Sequence, residues 1–161
     1  MQFSSIALLL ISAIQASNIT LTRRANDGCR PLIQGVVYDC GASGDVLEIR
    51  RATMNPSQPQ PGRPIEFRIQ GYLREEVTFG SRVVVNGKLD SFEVVNFEED
   101  ICQGAQQRKL PIRCPLKPPT FDFRYSVMVP LFAPSGHYEV VANAINQNTK
   151  QIFNVMAEFD L

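Results

Sequence analysis

Over most of this chain the apolar side chains fall on every second residue in short runs, and each run is closed by proline, glycine or asparagine. That period matches the pleat of a β-strand, in which alternate side chains share a face, and not the 3.6-residue repeat of a helix. Ile65, Phe67 and Ile69 alternate with Glu66, Arg68 and Gln70, and Phe121, Phe123, Tyr125, Val127 and Val129 alternate with Asp122, Arg124, Ser126 and Met128. At the end of the chain Phe153, Val155, Ala157, Phe159 and Leu161 alternate with Asn154, Met156, Glu158 and Asp160. Weaker runs at 45–54, 82–89, 92–97 and 137–145 fit four more strands, and no ten-residue segment keeps a helical period. The prolines agree. They fall at Pro31, at Pro56 to Pro64, at Pro111 to Pro119 and at Pro130 and Pro134, between runs or at their ends, where a missing N–H does not break a ladder. About seven short strands of this kind predict an all-β chain, an immunoglobulin-like two-sheet β-sandwich. Asn86-Gly87 fits either a hairpin turn or a glycine bulge within a strand.

Length and charge narrow the function. A chain of 161 residues is one domain, large enough to bury roughly 70% of its unfolded surface without a metal. Sixteen Lys and Arg balance sixteen Asp and Glu, with no basic run beyond pairs, so nucleic acid is not an expected partner. One histidine, His137, no tryptophan, and cysteines at 29, 40, 102 and 114 without a CxxC spacing lead us to expect no metal and no cofactor. His137 has no nucleophile motif such as GxSxG to serve, so no enzymatic role is expected. Glu98-Glu99-Asp100 reads as a solvated turn, since a calcium loop needs more regularly spaced oxygen ligands. Arg50-Arg51 and Arg108-Lys109 read as solvated basic pairs.

Residues Ile6 to Ile14 are all apolar or small. The run is too short to span a bilayer core of ~30 Å but suits the core of a secretory signal. The small residues Ala16 and Ser17 place cleavage after Ala16, so residues 1–16 are read as a signal peptide. Residues 17–36 are then a pro-segment or N-terminal extension, with a glycosylation acceptor at Asn18 (Asn18-Ile19-Thr20) and a dibasic processing site at Arg23-Arg24. Loss of residues 1–24 removes two basic residues and no acid, leaving two more acids than bases. The expected location is secreted, or the lumen of a vacuole or lysosome. In an oxidising compartment four cysteines predict two disulfides, for which three connectivities exist.

One ordered set of features goes beyond fold class: Asp39-Cys40-Gly41, DVLEI at 45–49, Asn55-Pro56, Pro61-Gly62, then Cys102 and Cys114-Pro115-Leu116. It continues through Val129-Pro130-Leu131, Pro134-Ser135-Gly136-His137-Tyr138 and Lys150-Gln151-Ile152-Phe153. From residue 37 to 161 this resembles the ML lipid-recognition domain family, and especially its fungal phosphatidylglycerol/phosphatidylinositol transfer proteins, relatives of the Niemann-Pick type C sterol carrier.

The resemblance implies a monomeric carrier that holds one lipid, phospholipid or sterol, between its sheets and makes transient membrane contact. It pairs Cys102 with Cys114. The family partner of Cys40 is replaced here by Asn154, which leaves Cys29 for Cys40. It also makes Asn86-Gly87 part of one long bent strand. As cavity walls it implies Met54, Phe67, Ile69, Val85, Leu89, Val94, Val140, Ala142 and Val155; alternation alone would read these as a filled core. The mouth falls on Pro130, Leu131 and Phe132, in an apolar loop where connections are normally polar. The competing reading is a secreted immunoglobulin-like module that binds a protein or glycan and carries no lipid.

Overall fold

The computed structural model describes residues 28–161, so the expected signal peptide, Asn18 and the Arg23-Arg24 site lie outside the described residues. Among these residues the elements run β1 (Arg30–Ile33), β2 (Val37–Asp39), β3 (Leu47–Asn55), β4 (Pro64–Leu73), β5 (Arg82–Leu89), β6 (Phe92–Asp100), α1 (Ile101–Gln107), β7 (Thr120–Met128), β8 (His137–Ile145) and β9 (Gln151–Asp160). All strand pairs are antiparallel. One sheet has the order β1-β2-β9-β8-β5-β6 and the other β3-β4-β7.

The seven alternating runs of the sequence are β3 to β9. β1, inside the stretch 17–36, shows no alternation, and Pro31 suits it to a sheet edge. It is held by pairing with β2, by the Cys29–Cys40 disulfide and by an Arg30–Asp39 ion pair of 2.7 Å. Asn86 and Gly87 lie inside β5, paired on both sides. The β5–β6 turn falls instead at Asp90, whose φ is 54°.

Glu98 to Asp100, expected as a solvated turn, instead complete β6. Glu98 pairs with Arg82 at 2.9 Å, and the Asp100 carboxylate caps α1, accepting from Gln103 N at 2.8 Å and from Gly80 N at 2.6 Å. The cap satisfies N–H groups that a helix start leaves open, which lets a seven-residue helix form without enough turns to show a period in sequence.

Val46, Leu47, Ile49, Leu73, Val77, Ala144 and Ile152 form the buried core. They gather at the end of the sandwich where β3 and β9 begin and β4 and β8 finish. Each fully buried Leu, Ile or Val there contributes roughly 1.5–3 kcal/mol. Buried Ser81 hydrogen-bonds to Gln147 at 2.9 Å, and Asn146 Oδ1 accepts from Lys150 N at 2.9 Å, which fixes the loops at this closed end. On one side β1 packs against β3. On the other, β6 and β7 are the outermost strands of their sheets.

Candidate functional site

Antiparallel register aligns the inward side chains of successive strands: Val85 opposite Ala142, and Ala142 opposite Val155. In a filled sandwich these would meet the other sheet, about 10 Å away. Here they border an inner cavity of about 410 Å³, closed towards the core by Leu47 and Ile49 and walled on its flank by Ala105, Leu110 and Ile112 of the segment after β6. A second cavity of about 530 Å³ lies further along the same strands, lined by Met54, Phe67, Val95, Val127, Tyr138, Ala157 and Phe159. Each volume falls in the range of small-molecule sites. An empty, sealed space of 410 Å³ would cost about 10 kcal/mol at about 24 cal/mol per Å³, as much as a whole domain's stability. Such a space persists only if it is open or filled.

It is open along one side. Val95 and Phe97 on β6 and Tyr125 and Val127 on β7 share the inward faces of their strands, yet each stays 38–39% exposed. The rings of Phe121, Phe123 and Tyr125 stack along β7 with centroids 6.4 and 6.2 Å apart. Glu99, inward-facing opposite Val83, is among the described residues the one ionisable group lining the inner cavity. Its carboxylate accepts a hydrogen bond from Arg108 Nη1, and the Arg108 guanidinium lies 5.6 Å from the Phe97 ring centroid. The hydrogen bond and the charge of Glu99 raise the Arg108 pKa above its usual value, with a smaller contribution from Tyr125 across the opening. The Cys102–Cys114 disulfide closes the segment that carries Arg108.

The structure divides the residues named from sequence into three groups. Ile69, Val85, Ala142 and Val155 line the inner cavity, and Met54, Phe67, Pro130 and Phe132 line the outer one. Leu89, Val94, Val140 and Leu131 line neither. Val94 is the extra residue of a bulge, since Gly87 pairs with Val95 and Lys88 with Glu93; one added residue turns the following side chains to the other face. Val94 is therefore 51% exposed and Val95 faces inward. Val140 abuts Gly87, and Leu89 packs over Gly136. Glu99 and Arg108 went unread as a pair, because nothing local joins a strand carboxylate to an arginine beyond the next helix.

The outer cavity ends at the loop after β7. Leu131 and Phe132 are 78% and 89% exposed, with exposed Met128 and Phe92 on neighbouring strand ends. Beside this loop the Tyr138 hydroxyl donates to Pro134 O at 2.8 Å, and Gly136 and Leu161 exchange two backbone hydrogen bonds. His137 opens β8 and pairs with Asp160, an acid that the sequence alone did not bring to it. A larger recess, about 670 Å³, lies outside the sandwich around Arg30, Asp39, Glu48 and Arg74. Its charges neutralise one another, Arg30 with Asp39 and Arg74 with Glu48, each at 2.7 Å, so it suits an apolar ligand poorly.

Residues 34–160 match the ML domain. A phosphatidylglycerol/phosphatidylinositol transfer protein of Aspergillus oryzae is 30% identical over 110 residues, which cover 68% of this chain and 62% of that protein. The protein of the same name from Mycosarcoma maydis is 26% identical over 109 residues, covering 68% and 56%. The matched region thus spans less than two thirds of these relatives' own length. Among solved structures, a Niemann-Pick type C2 protein from Japanese carpenter ant shares the fold with a TM-score of 0.56 at 17% identity, covering 76% of this chain and 96% of that one. Chicken MD-1 complexed with lipid IVa does so with a TM-score of 0.55 at 16% identity, covering 77% and 88%. By the match over residues 34–160, the chain belongs to the ML domain family.

Proposed function

We propose that this chain is a soluble carrier of the secretory pathway. It binds one lipid, a phospholipid such as phosphatidylglycerol or phosphatidylinositol or else a sterol, between its sheets, and moves it between membranes as a monomer. The observation that carries this reading is the exposure of inward-facing apolar side chains at the β6–β7 opening, backed by two almost wholly apolar cavities. Each methylene buried there contributes ~0.8 kcal/mol, so an acyl chain or sterol ring system binds through shape-tolerant contacts. The names of the fungal relatives and the lipid bound to MD-1 support a lipid cargo. The exposed Leu131–Phe132 loop beside the outer cavity supplies the transient membrane contact. Residues 17–36 form the extension that precedes the carrier domain at 37–161.

The test is transfer of fluorescent phosphatidylglycerol, and separately of a fluorescent sterol, from donor to acceptor vesicles. The protein should accelerate transfer of at least one in proportion to its concentration. Rates no faster than the spontaneous exchange of both would contradict the proposal.

A further inference from the structure

The chain as a whole is electrically balanced, but its charges are not evenly spread. From Ile101 to Phe121 there are four basic residues, Arg108, Lys109, Arg113 and Lys117, and no acid. This segment is the flank of the inner cavity: Ala105, Leu110 and Ile112 line it, and the Cys102–Cys114 disulfide holds it closed. The apolar chamber is therefore flanked by a segment whose charges are all basic, directly after the acids Glu98, Glu99 and Asp100 that end β6.

Within this segment Arg108 is the oriented group. Glu99 holds one end of its guanidinium and Phe97 lies under its face. The Glu99 carboxylate is itself fixed against the helix: a Cβ at Gly104 would come within 2.6 Å of the carboxyl carbon. Among the described residues, Nε and Nη2 of Arg108 have no hydrogen-bond partner, and its side chain is 50% exposed. A planar guanidinium with donors to spare and restrained in place is the group that meets phosphate oxygens two at a time.

Building on the lipid-carrier reading, we propose that Arg108 binds the phosphate of an anionic phospholipid whose chains occupy the inner cavity, so that the β6–β7 opening is where the headgroup is read. Glu99 acts as a positioning residue that aims the guanidinium, and Lys109 and Arg113 supply the surrounding field.

The test loads the purified protein from phosphatidylcholine vesicles that carry equal amounts of phosphatidylglycerol and of diacylglycerol, which has the same two chains and no phosphate, re-isolates it and measures the ratio of phosphatidylglycerol to diacylglycerol bound. Wild type should be enriched in phosphatidylglycerol. Arg108→Gln should lower the bound ratio about tenfold, the equivalent of one charged hydrogen-bond set. Arg108→Lys should recover part of the preference. Because Arg108→Gln leaves the Glu99 carboxylate unpaired, the double variant Glu99→Gln/Arg108→Gln is measured beside it and should show the same loss. An unchanged ratio in both variants overturns the assignment. So does an unchanged ratio accompanied by lost binding of inorganic phosphate, since Arg108 would then be an anion site unconnected with the cargo. Wild type that takes up no lipid from these vesicles overturns the carrier reading itself.

Discussion

His137 Nδ1 lies 2.9 Å from a carboxylate oxygen of Asp160, joining the first residue of β8 to the last of β9 beside the outer cavity. The same histidine donates its backbone N–H to Asp90 Oδ1 at 3.1 Å, so three chain segments meet at this point. The Asp160 hydrogen bond, aided by the charges of Asp160, Glu158 and Glu139, raises the His137 pKa against a smaller opposing effect of burial.

A raised folded-state pKa adds stability that is full below the unfolded value of roughly 6.5 and is lost as pH rises through the folded value. His137→Gln should therefore lower the unfolding midpoint more at about pH 5 than at about pH 8. The side chain is 48% exposed, so the difference should stay below about 1 kcal/mol. Thermal unfolding of both proteins across that range checks it; a gap that widens with rising pH would contradict the pairing.

The double substitution Leu131→Ser/Phe132→Ser should slow lipid delivery and spare the fold. Both side chains are mostly in water, so unfolding free energy should move by less than about 0.5 kcal/mol. In a membrane each would bury apolar surface worth roughly 1.5–3 kcal/mol when complete, so vesicle affinity should drop at least about tenfold. Flotation with vesicles and the transfer assay measure the two effects; unchanged vesicle binding would place the membrane contact elsewhere.

The alternating runs made the sandwich legible because a side chain's face follows from its position in a pleat. Phe121 to Val129 and Phe153 to Leu161 show this directly. Three things were hidden. The bulge that puts Val94 outside and Val95 inside depends on pairing with β5, not on the local order of residues. β1 exists through its ladder with β2 and the Cys29–Cys40 bond rather than through any pattern of its own. The separation of the sheets also leaves no trace in sequence, since alternation states which way Val85 or Ala142 points and not what stands opposite. The cavity was reachable only through the family resemblance.

Replacing Cys102 and Cys114 with serine removes a crosslink spanning 12 residues and should destabilise the fold by roughly 2–3 kcal/mol. Because that segment walls the inner cavity, lipid held per folded molecule should also fall. The matching Cys29→Ser/Cys40→Ser variant, whose bond touches neither cavity, should lose stability with occupancy intact. Equal occupancy in the two variants, measured at a temperature where both are folded, would contradict this division of roles.

Whether the space between the sheets holds a lipid is read by native mass spectrometry after incubation with mixed vesicles. Wild type should gain the mass of one lipid, while Val85→Phe and Ala142→Phe, whose rings enter the inner cavity, should lose that adduct. The unfolding midpoints of delipidated samples should stay nearly equal, because a ring placed in open space avoids the ~1–3 kcal/mol of overpacking that a filled core imposes; delipidation matters because bound lipid itself stabilises the folded state. A wild-type spectrum without an adduct, or variants that unfold early and still carry one lipid per folded molecule, would contradict a lipid held between the sheets.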